Sequence, residues 1–347
     1  MTRRAASPRR LSILAALLLV ASAVAAGCSA KKEDASGKPA SLHVGLVFDV
    51  GGRGDKSFND AAAAGLDSAK KALGIDAEVV EPGEGGDRES ALREFAAKNK
   101  DLVIGVGFLF SDDIKNVAKD YPDKKFACID MNVAPGETLP ANVVALKFKE
   151  EEGSYLVGAL AGLLSKTHKV GFLGGMQIPL IKKFEAGYRA GVEKAAPGTT
   201  VFVKYAGTTG QAFKDPTKGK ELGLAMYGDG ADIVFHASGS TGLGLFEAAK
   251  EKNGLAIGVD SDQYDSMPGV VLTSMVKRVD VAVFDTIQQT IDGKFPGGQA
   301  LVFGLKENGV GYVYDARNAP QIPAAVKAKV DALRDDIVAG RIPVPSE

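Results

Sequence analysis

The stretch "LHVGLVFDVGGRGDKSFNDAAAAGLDSAKKALG", residues 42–74, decides the fold, because it holds a strand, a turn and a helix in succession. Its first nine residues are mostly apolar, as in a strand that is buried on both faces. Three glycines then allow a sharp turn, and Ser57 or Asn59 can cap the helix that the alanine-rich part predicts. The stretch therefore predicts the first βα unit of an α/β protein.

Short apolar runs and helix-like segments keep alternating after this unit, which predicts parallel sheets covered by helices on both sides. The strand candidates form two sets of five: "LHVGLVFDV", "AEVVE", "DLVIGVGF", "KFACIDM" and "NVVALKF", then "KVGFLGG", "TVFVKYAG", "DIVFHAS", "LAIGVDS" and "GVVLTSMV". Two sets predict two lobes, residues 42–148 with 276–300 and residues 149–275 with 301–347. Ligands of such sheets bind beyond the carboxyl ends of the strands, so we expect site residues directly after each run.

The turn after the first strand ends in Lys56-Ser57, as a phosphate-binding loop does. Such a loop has Gly, four residues, and then Gly-Lys-Ser/Thr, so that backbone N–H groups can approach the phosphates. Here the two glycine positions hold Val50 and Asp55, and the carboxylate of Asp55 would repel phosphate. The spacing therefore argues against a nucleotidase or an ATPase.

Residues that support catalysis or metal binding form no recognisable pattern in this sequence. A dinucleotide-binding fingerprint in "HASGSTGLGLFEAAK", residues 236–250, would need a third glycine where Glu247 stands. The turn that remains can still hold a hydroxyl or an anion at a helix N-terminus. His43 and His236 lie within apolar strand runs, where a buried structural histidine is the usual case, and no histidine pair has metal-ligand spacing. We therefore expect no cofactor, no metal and no enzymatic activity.

The N-terminus predicts export from the cytoplasm. Four arginines precede the apolar run "LSILAALLLVASAVAA", residues 11–26, and Gly27-Cys28 follow it. This is the order of a secretory signal peptide, and "AAGC" is similar to a lipobox, whose cysteine is diacylated. We expect a lipoprotein signal peptide over residues 1–27, a lipid at Cys28 and a flexible polar tether over residues 28–41. The mature protein would then be anchored to a membrane of the cell envelope, on its extracytoplasmic face.

Charge and cysteine content narrow the possible partners. Loss of the signal peptide changes the formal net charge from −1 to −5, because it removes four arginines and no acidic residue. An acidic mature chain argues against a nucleic-acid partner. With Cys28 acylated, Cys128 has no disulfide partner and is expected to be a buried, inert thiol.

Eight blocks of the sequence together resemble the basic membrane protein (BMP) family of substrate-binding lipoproteins, which includes the purine nucleoside receptor A type. They occur in order between about residues 42 and 318: "FDVGGRGDKSFND", "GVGF", "FACIDM", "GGMQIPLIKKFEAGYRAG", "AFKDPTKGK", "SGSTGLG", "GVDSDQ" and "TSMVKRVD". The resemblance implies a two-lobed fold like that of type I periplasmic binding proteins, with the ligand between the lobes. It also implies delivery of nucleosides to the permease and ATPase subunits of an ABC importer.

The same resemblance implies a set of ligand-binding residues. The family's acid for ribose, stacking aromatic and neighbouring amide correspond to Asp49, Phe58 and Asn59. The acid at the purine edge corresponds to Asp130, and the second stacking aromatic to Phe213. The remaining ribose-binding positions correspond to Gly239, Asp260 and Lys277. A nucleoside suits this set, since it offers two aromatic faces, a base edge with donors and a vicinal diol.

Several alternatives stay open at this point. The same fold can bind a sugar or a furanose ligand, or serve as a surface receptor or adhesin. A nucleoside hydrolase is a third possibility. We expect a monomer, and the sequence does not choose among adenosine, guanosine and inosine or between inner and outer membrane.

Overall fold

The computed structural model describes residues 41–82 and 87–347. The predicted signal peptide, the lipidation site Cys28 and almost all of the predicted tether lie outside the described residues. Among the described residues, no helix has both the length and the apolar composition needed to span a membrane.

Strands and helices alternate along the described chain. The strands are β1 His43–Val47, β2 Asp76–Val80, β3 Leu102–Val106, β4 Lys125–Ile129, β5 Val143–Phe148, β6 Lys169–Met176, β7 Thr200–Gly207, β8 Ile233–Ala237, β9 Leu255–Asp260, β10 Val271–Lys277, β11 Ala300–Phe303 and β12 Val310–Tyr312. The helices are α1 Phe58–Leu73, α2 Arg88–Ala97, α3 Ser111–Asp120, α4 Glu150–Leu164, α5 Pro179–Ala195, α6 Pro216–Gly228, α7 Thr241–Lys252, α8 Val279–Ile291 and α9 Ala324–Val338.

The strands form two six-stranded sheets. The first has the order β2-β1-β3-β4-β5-β11, and every pairing in it is parallel. The second has the order β7-β6-β8-β9-β10-β12, in which the edge strand β12 is antiparallel. Helices cover both sheets, and residues such as Val44, Ile104 and Phe235 in the central strands are fully buried. The predicted α/β class with two parallel sheets is confirmed.

The chain passes between the sheets three times in the described residues. It leaves the first sheet after β5, returns by way of α8 to β11, and leaves again to form β12. Helix α8 packs on α1 of the first lobe so closely that a Cβ at Gly65 would lie 2.3 Å from the carbonyl oxygen of Asp280. These three connections hold the two lobes next to each other with their strand ends facing.

The turn between β1 and α1 differs from the prediction in how the helix is capped. Gly51, Gly52 and Gly54 have positive φ values, as a sharp turn requires. Ser57 makes no capping hydrogen bond with its side chain. The carboxylate of Asp55 instead accepts the backbone N–H groups of Ser57 and Asn59, at 2.9 and 2.8 Å. The hydroxyl of Ser57 is therefore free to reach the other lobe.

Candidate functional site

A cavity lies between the lobes, at the carboxyl ends of the strands of both sheets. The space between its wall atoms, including the part that is open to solvent, amounts to about 540 Å³. The cavity is lined by all eight residues that the family resemblance implies: Asp49, Phe58, Asn59, Asp130, Phe213, Gly239, Asp260 and Lys277. The structure thus brings together every predicted site residue, as expected for side chains that follow parallel strands. That they contact a ligand stays a prediction.

Two of the cavity carboxylates occupy an unusual backbone conformation. Asp130 directly follows β4 with a φ of 59°, and Asp260 ends β9 with a φ of 64°. Residues other than glycine adopt this left-handed region only at a cost in free energy, and such strain concentrates at functional sites. The side chains of Asp130 and Asp260 are therefore held in the cavity wall at a cost in backbone free energy.

Lys277 connects the two lobes through buried ion pairs. Its Nζ lies 2.6 Å from Oδ2 of Asp130, on the first sheet, and 3.0 Å from Oε1 of Glu150. Although burial disfavours the ammonium, Asp130 and Glu150 raise the pKa of Lys277, so it stays charged. Oδ1 of Asp130 is buried and has no hydrogen-bond partner among the described residues. A buried, unpartnered carboxylate oxygen at a cavity wall is an open acceptor for a ligand donor.

A second lysine stabilises Glu150 from the far side. Nζ of Lys183 lies 2.6 Å from Oε2 of Glu150 and 3.4 Å from Oε2 of Glu151. Burial alone would favour the neutral acid, but Lys277 and Lys183 hold the pKa of Glu150 below its usual value. Glu150 is therefore a charged, fully buried link between the cavity lysine and the start of α4.

The pKa values of Asp49 and Asp260 are raised, whereas that of Glu150 is lowered. Burial raises the pKa of each to about 7, and neighbouring acids add to this effect. Backbone N–H of Val50 opposes the rise for Asp49, and Lys277 opposes it for Asp260. Both carboxyls can accept hydrogen bonds from ligand hydroxyls when ionised, and their charge changes near neutral pH.

Aromatic rings from both lobes face the cavity. Phe58 begins α1 in the first lobe, and Phe213 lies in the second lobe between β7 and α6. Phe108 contacts Phe213 edge to face, with 6.5 Å between ring centroids. Nζ of Lys277 lies 5.1 Å from the centroid of Phe58, close enough for a cation–π interaction.

Asn59 holds the loop that carries Asp49. Its Oδ1 accepts the backbone N–H of Asp49 at 2.9 Å, and its Nδ2 donates to Oδ2 of Asp55 at 3.0 Å. The amide therefore contributes to the cavity at least by positioning Asp49.

Sequence reasoning missed several residues that shape this cavity. Phe184, Leu180 and Ile181 from the first half of α5 line it, and Glu150 supports it from behind. Phe184 stands in a quoted block, but nothing in the one-dimensional pattern separates a cavity phenylalanine from a core one. The acidic run at residues 150–152 is typical of a helix N-terminus, where it favourably meets the helix dipole. Only the structure shows that Glu150, the first residue of this run, forms an ion pair with Lys277.

Metal chemistry receives no support from the described part of the chain. Nowhere in it do three or more His, Cys, Asp or Glu side chains come together in a way that could hold a metal ion.

Two α/β lobes with a cavity between them are the architecture of type I periplasmic substrate-binding proteins. A solved solute-binding protein of an ABC transporter system from Aeropyrum pernix has the same fold. It superposes with a TM-score of 0.79 and 31% identity, over 88% of this chain and 94% of that one. The model of the Bmp family, described as ABC transporter substrate-binding protein PnrA-like, matches residues 42–347. The chain belongs to this family and is an ABC transporter substrate-binding protein.

Two curated relatives match almost the whole length of the chain. A protein of Listeria innocua named CD4+ T-cell-stimulating antigen is 36% identical over 98% of this chain and 99% of its own length. A protein of Lactococcus lactis named ABC transporter nucleoside-binding protein BmpA is 34% identical over the same shares of the two chains. The predicted family membership is confirmed, and the class implies a ligand, a permease and an ATPase as partners.

Proposed function

We propose that this protein captures purine nucleosides outside the cytoplasm and delivers them to an ABC importer. The observation that carries the proposal is the pairing of Phe58 and Phe213, from different lobes, around a cavity that holds the open acceptor Oδ1 of Asp130. Two rings can sandwich a base, each stack contributing roughly 1–3 kcal/mol. The printed name of the Lactococcus lactis relative, a nucleoside-binding protein, points the same way.

The polar groups of the cavity match the remaining parts of a nucleoside. Asp130 accepts from N1–H of inosine or guanosine, or from the amino group of adenosine. Asp49 and Asp260 accept from the ribose hydroxyls, and Lys277 donates while it balances their charge. Hydrogen bonds to charged groups contribute about 1.5–3 kcal/mol each, so the base edge and the ribose together favour a purine nucleoside over a free sugar.

The remaining parts of the proposal concern the cell. Lipid at Cys28 anchors the protein on the extracytoplasmic face of a membrane, and the mature chain acts as a monomer. It binds its ligand without a chemical step. Incubation with inosine should therefore yield no hypoxanthine by chromatography, and turnover would replace binding by hydrolysis.

Calorimetry with inosine, guanosine, adenosine, uridine and ribose tests the ligand class. Phe58→Ala or Phe213→Ala should weaken purine nucleoside binding about five- to 150-fold, since each removes one stacking face. Phe202→Ala is the matched control, because Phe202 is half-buried on β7 and does not line the cavity. Ribose binding as tight as that of the nucleosides, or full affinity in Phe58→Ala, would favour a sugar-binding protein instead.

A further inference from the structure

Three buried polar side chains form a row at the cavity wall of the second lobe. Ser238 lines the cavity, and its Oγ lies 3.3 Å from Nδ1 of His236. Nε2 of the same ring lies 3.0 Å from Oε1 of Gln263. None of the three is more than 1% exposed. Their hydrogen-bond polarity can be worked out from the partners of Gln263.

Gln263 determines which ring nitrogen of His236 carries the proton. Oε1 of Gln263 also accepts the backbone N–H of Val259 at 2.8 Å, so this atom is a carbonyl oxygen and cannot donate. Nε2 of His236 must therefore be the donor in their contact. Because burial lowers the pKa of His236 to about 4, the ring carries a single proton at neutral pH. Nδ1 is then a pure acceptor.

The hydroxyl of Ser238 must donate its one proton to this acceptor. A serine hydroxyl has one O–H and two lone pairs, so only lone pairs are left for the cavity. We infer that Ser238 is a specificity-determining residue that accepts a hydrogen bond from a hydroxyl of the ligand. His236 and Gln263 are positioning residues that keep the serine from acting as a donor.

Ribose supplies this hydroxyl, a step that rests on the proposed nucleoside function. Ser238 directly precedes Gly239, and Gln263 holds the backbone of Val259 beside Asp260, so the row adjoins two predicted ribose contacts. A vicinal diol offers the donors that a serine acceptor and a carboxylate both need. A phosphate ester at neutral pH offers only acceptors, so this wall disfavours a nucleotide whose phosphate replaces the hydroxyl that Ser238 contacts.

The tautomer of His236 can be measured without any ligand. In protein labelled with 15N-histidine, the three ring systems are assigned by His43→Asn and His168→Asn, since both of these residues are exposed. We expect His236 to be protonated at Nε2 alone at neutral pH, and Gln263→Leu to populate the Nδ1–H form. A parent protein with the Nδ1–H form would overturn the acceptor role of Ser238. Because a structural defect does not select a tautomer, this signature separates positioning from loss of fold.

Calorimetry with inosine and its 2′-, 3′- and 5′-deoxy analogues tests the ligand contact. Ser238→Ala should weaken inosine binding roughly three- to tenfold, the usual effect of a neutral hydrogen bond. One deoxy analogue should bind the parent and Ser238→Ala equally, because the partner hydroxyl is already missing. Ser154→Ala is the matched control, since Ser154 is equally buried and does not line the cavity, and its hydroxyl has no hydrogen-bond partner in the part of the chain that the structure describes.

The outcomes separate the two proposals. If the parent binds inosine and Ser238→Ala costs the same for all four ligands, or nothing for any, the contact with a ribose hydroxyl is wrong while nucleoside binding stands. If the parent binds no nucleoside, the proposed function fails, and the ribose contact of Ser238 fails with it.

Discussion

Asp260 illustrates at the residue scale how a buried carboxyl at the cavity lowers the stability of the protein at neutral pH. The residue is 7% exposed, and burial raises the pKa of its carboxyl from 3.8 to about 7. A folded-state pKa above the unfolded value means that the folded protein holds the proton more tightly. The stabilising contribution of protonated Asp260 is therefore complete below about pH 4 and is lost as the pH rises through about 7.

Asp260→Asn should remove this pH dependence. The variant should gain stability relative to the parent between about pH 4 and pH 7, by roughly 1.4 kcal/mol per pH unit at most. Its amide oxygen can still accept from Oγ of Ser57, which lies 2.5 Å from the carboxylate in the parent. Urea unfolding of the ligand-free proteins at pH 5 and pH 8 measures the difference. Asp123→Asn, a change at an exposed residue, is the control. If Asp260→Asn differs from the parent in free energy of unfolding by the same amount at pH 5 and pH 8, the raised pKa is wrong.

Asp130→Asn should change ligand preference rather than merely weaken binding. An amide still accepts through oxygen but has no charge, so ligands with an N1–H should lose most. We expect inosine and guanosine to lose roughly ten- to 150-fold and adenosine clearly less, by calorimetry.

The control for Asp130→Asn is Glu150→Gln. Glu150 also pairs with Lys277 but does not line the cavity, so this change disturbs the lysine without touching the base edge. It should weaken all purine nucleosides to a similar degree. An Asp130→Asn protein that behaves in the same uniform way would show that Asp130 acts only through Lys277.

At the element scale, the cavity depends on how closely β6 approaches the segment that carries Phe213. Gly174 and Gly175 belong to β6, and a Cβ at Gly175 would lie 2.2 Å from Cε1 of the Phe213 ring. A contact below 3.0 Å cannot exist without movement. The glycine therefore provides the space in which the second aromatic wall lies.

Gly175→Ala should displace the ring of Phe213 while the residue itself remains. We expect nucleoside affinity to fall several-fold, up to the loss seen in Phe213→Ala, with cooperative thermal unfolding retained. Gly228→Ala is the matched control, because no atom of the described residues outside its own helix turn lies within 4 Å of the Cβ that it would add. Calorimetry and thermal melts of the two variants measure the effect. Unchanged affinity in Gly175→Ala would mean that the position of Phe213 is unimportant for binding.

At the scale of the whole molecule, direct contacts join the lobes across the cavity. Oγ of Ser57, before α1, lies 2.5 Å from Asp260 at the end of β9. Oγ of Ser261 donates to the carbonyl oxygen of Ser57 at 3.1 Å. Together with the pair of Lys277 and Asp130, these contacts exist only when the lobes are close. A ligand that bridges the lobes adds to them and so favours the closed form.

Closure should be visible by small-angle X-ray scattering. The radius of gyration should fall when saturating inosine or guanosine is added, because the ligand stabilises the closed form. Ser57→Ala should enlarge the radius of the ligand-free protein and reduce affinity. If binding is measured by calorimetry and the radius stays constant, closure on the ligand is wrong.

The proposed membrane anchor can be tested separately from the cavity. Cys28→Ser should leave the protein unprocessed or soluble, because serine cannot form the thioether that carries the diacylglycerol. Membrane fractionation and intact mass measure this result. A variant that still enters the membrane fraction with the diacylglycerol mass would show that Cys28 is not the lipidation site.

The sequence by itself determined the α/β class and placed several acidic residues at the strand ends that border the cavity. Apolar runs of strand length, separated by helix-like segments, leave few other folds. Strand ends then predict where side chains such as Asp49, Asp130 and Asp260 must lie, because parallel strands end at the same edge. These inferences depend on local periodicity, which a one-dimensional sequence retains.

Only the tertiary structure decided which of these side chains interact. Lys277 and Asp130 are 147 residues apart in the chain but form an ion pair of 2.6 Å. Glu150, His236 and Gln263 have no local signature, since each looks like an ordinary helix-cap, strand or loop residue. Their roles depend on burial and on partners brought close by packing. The pKa and hydrogen-bond polarity of a group depend on such neighbours, and no sequence pattern determines them.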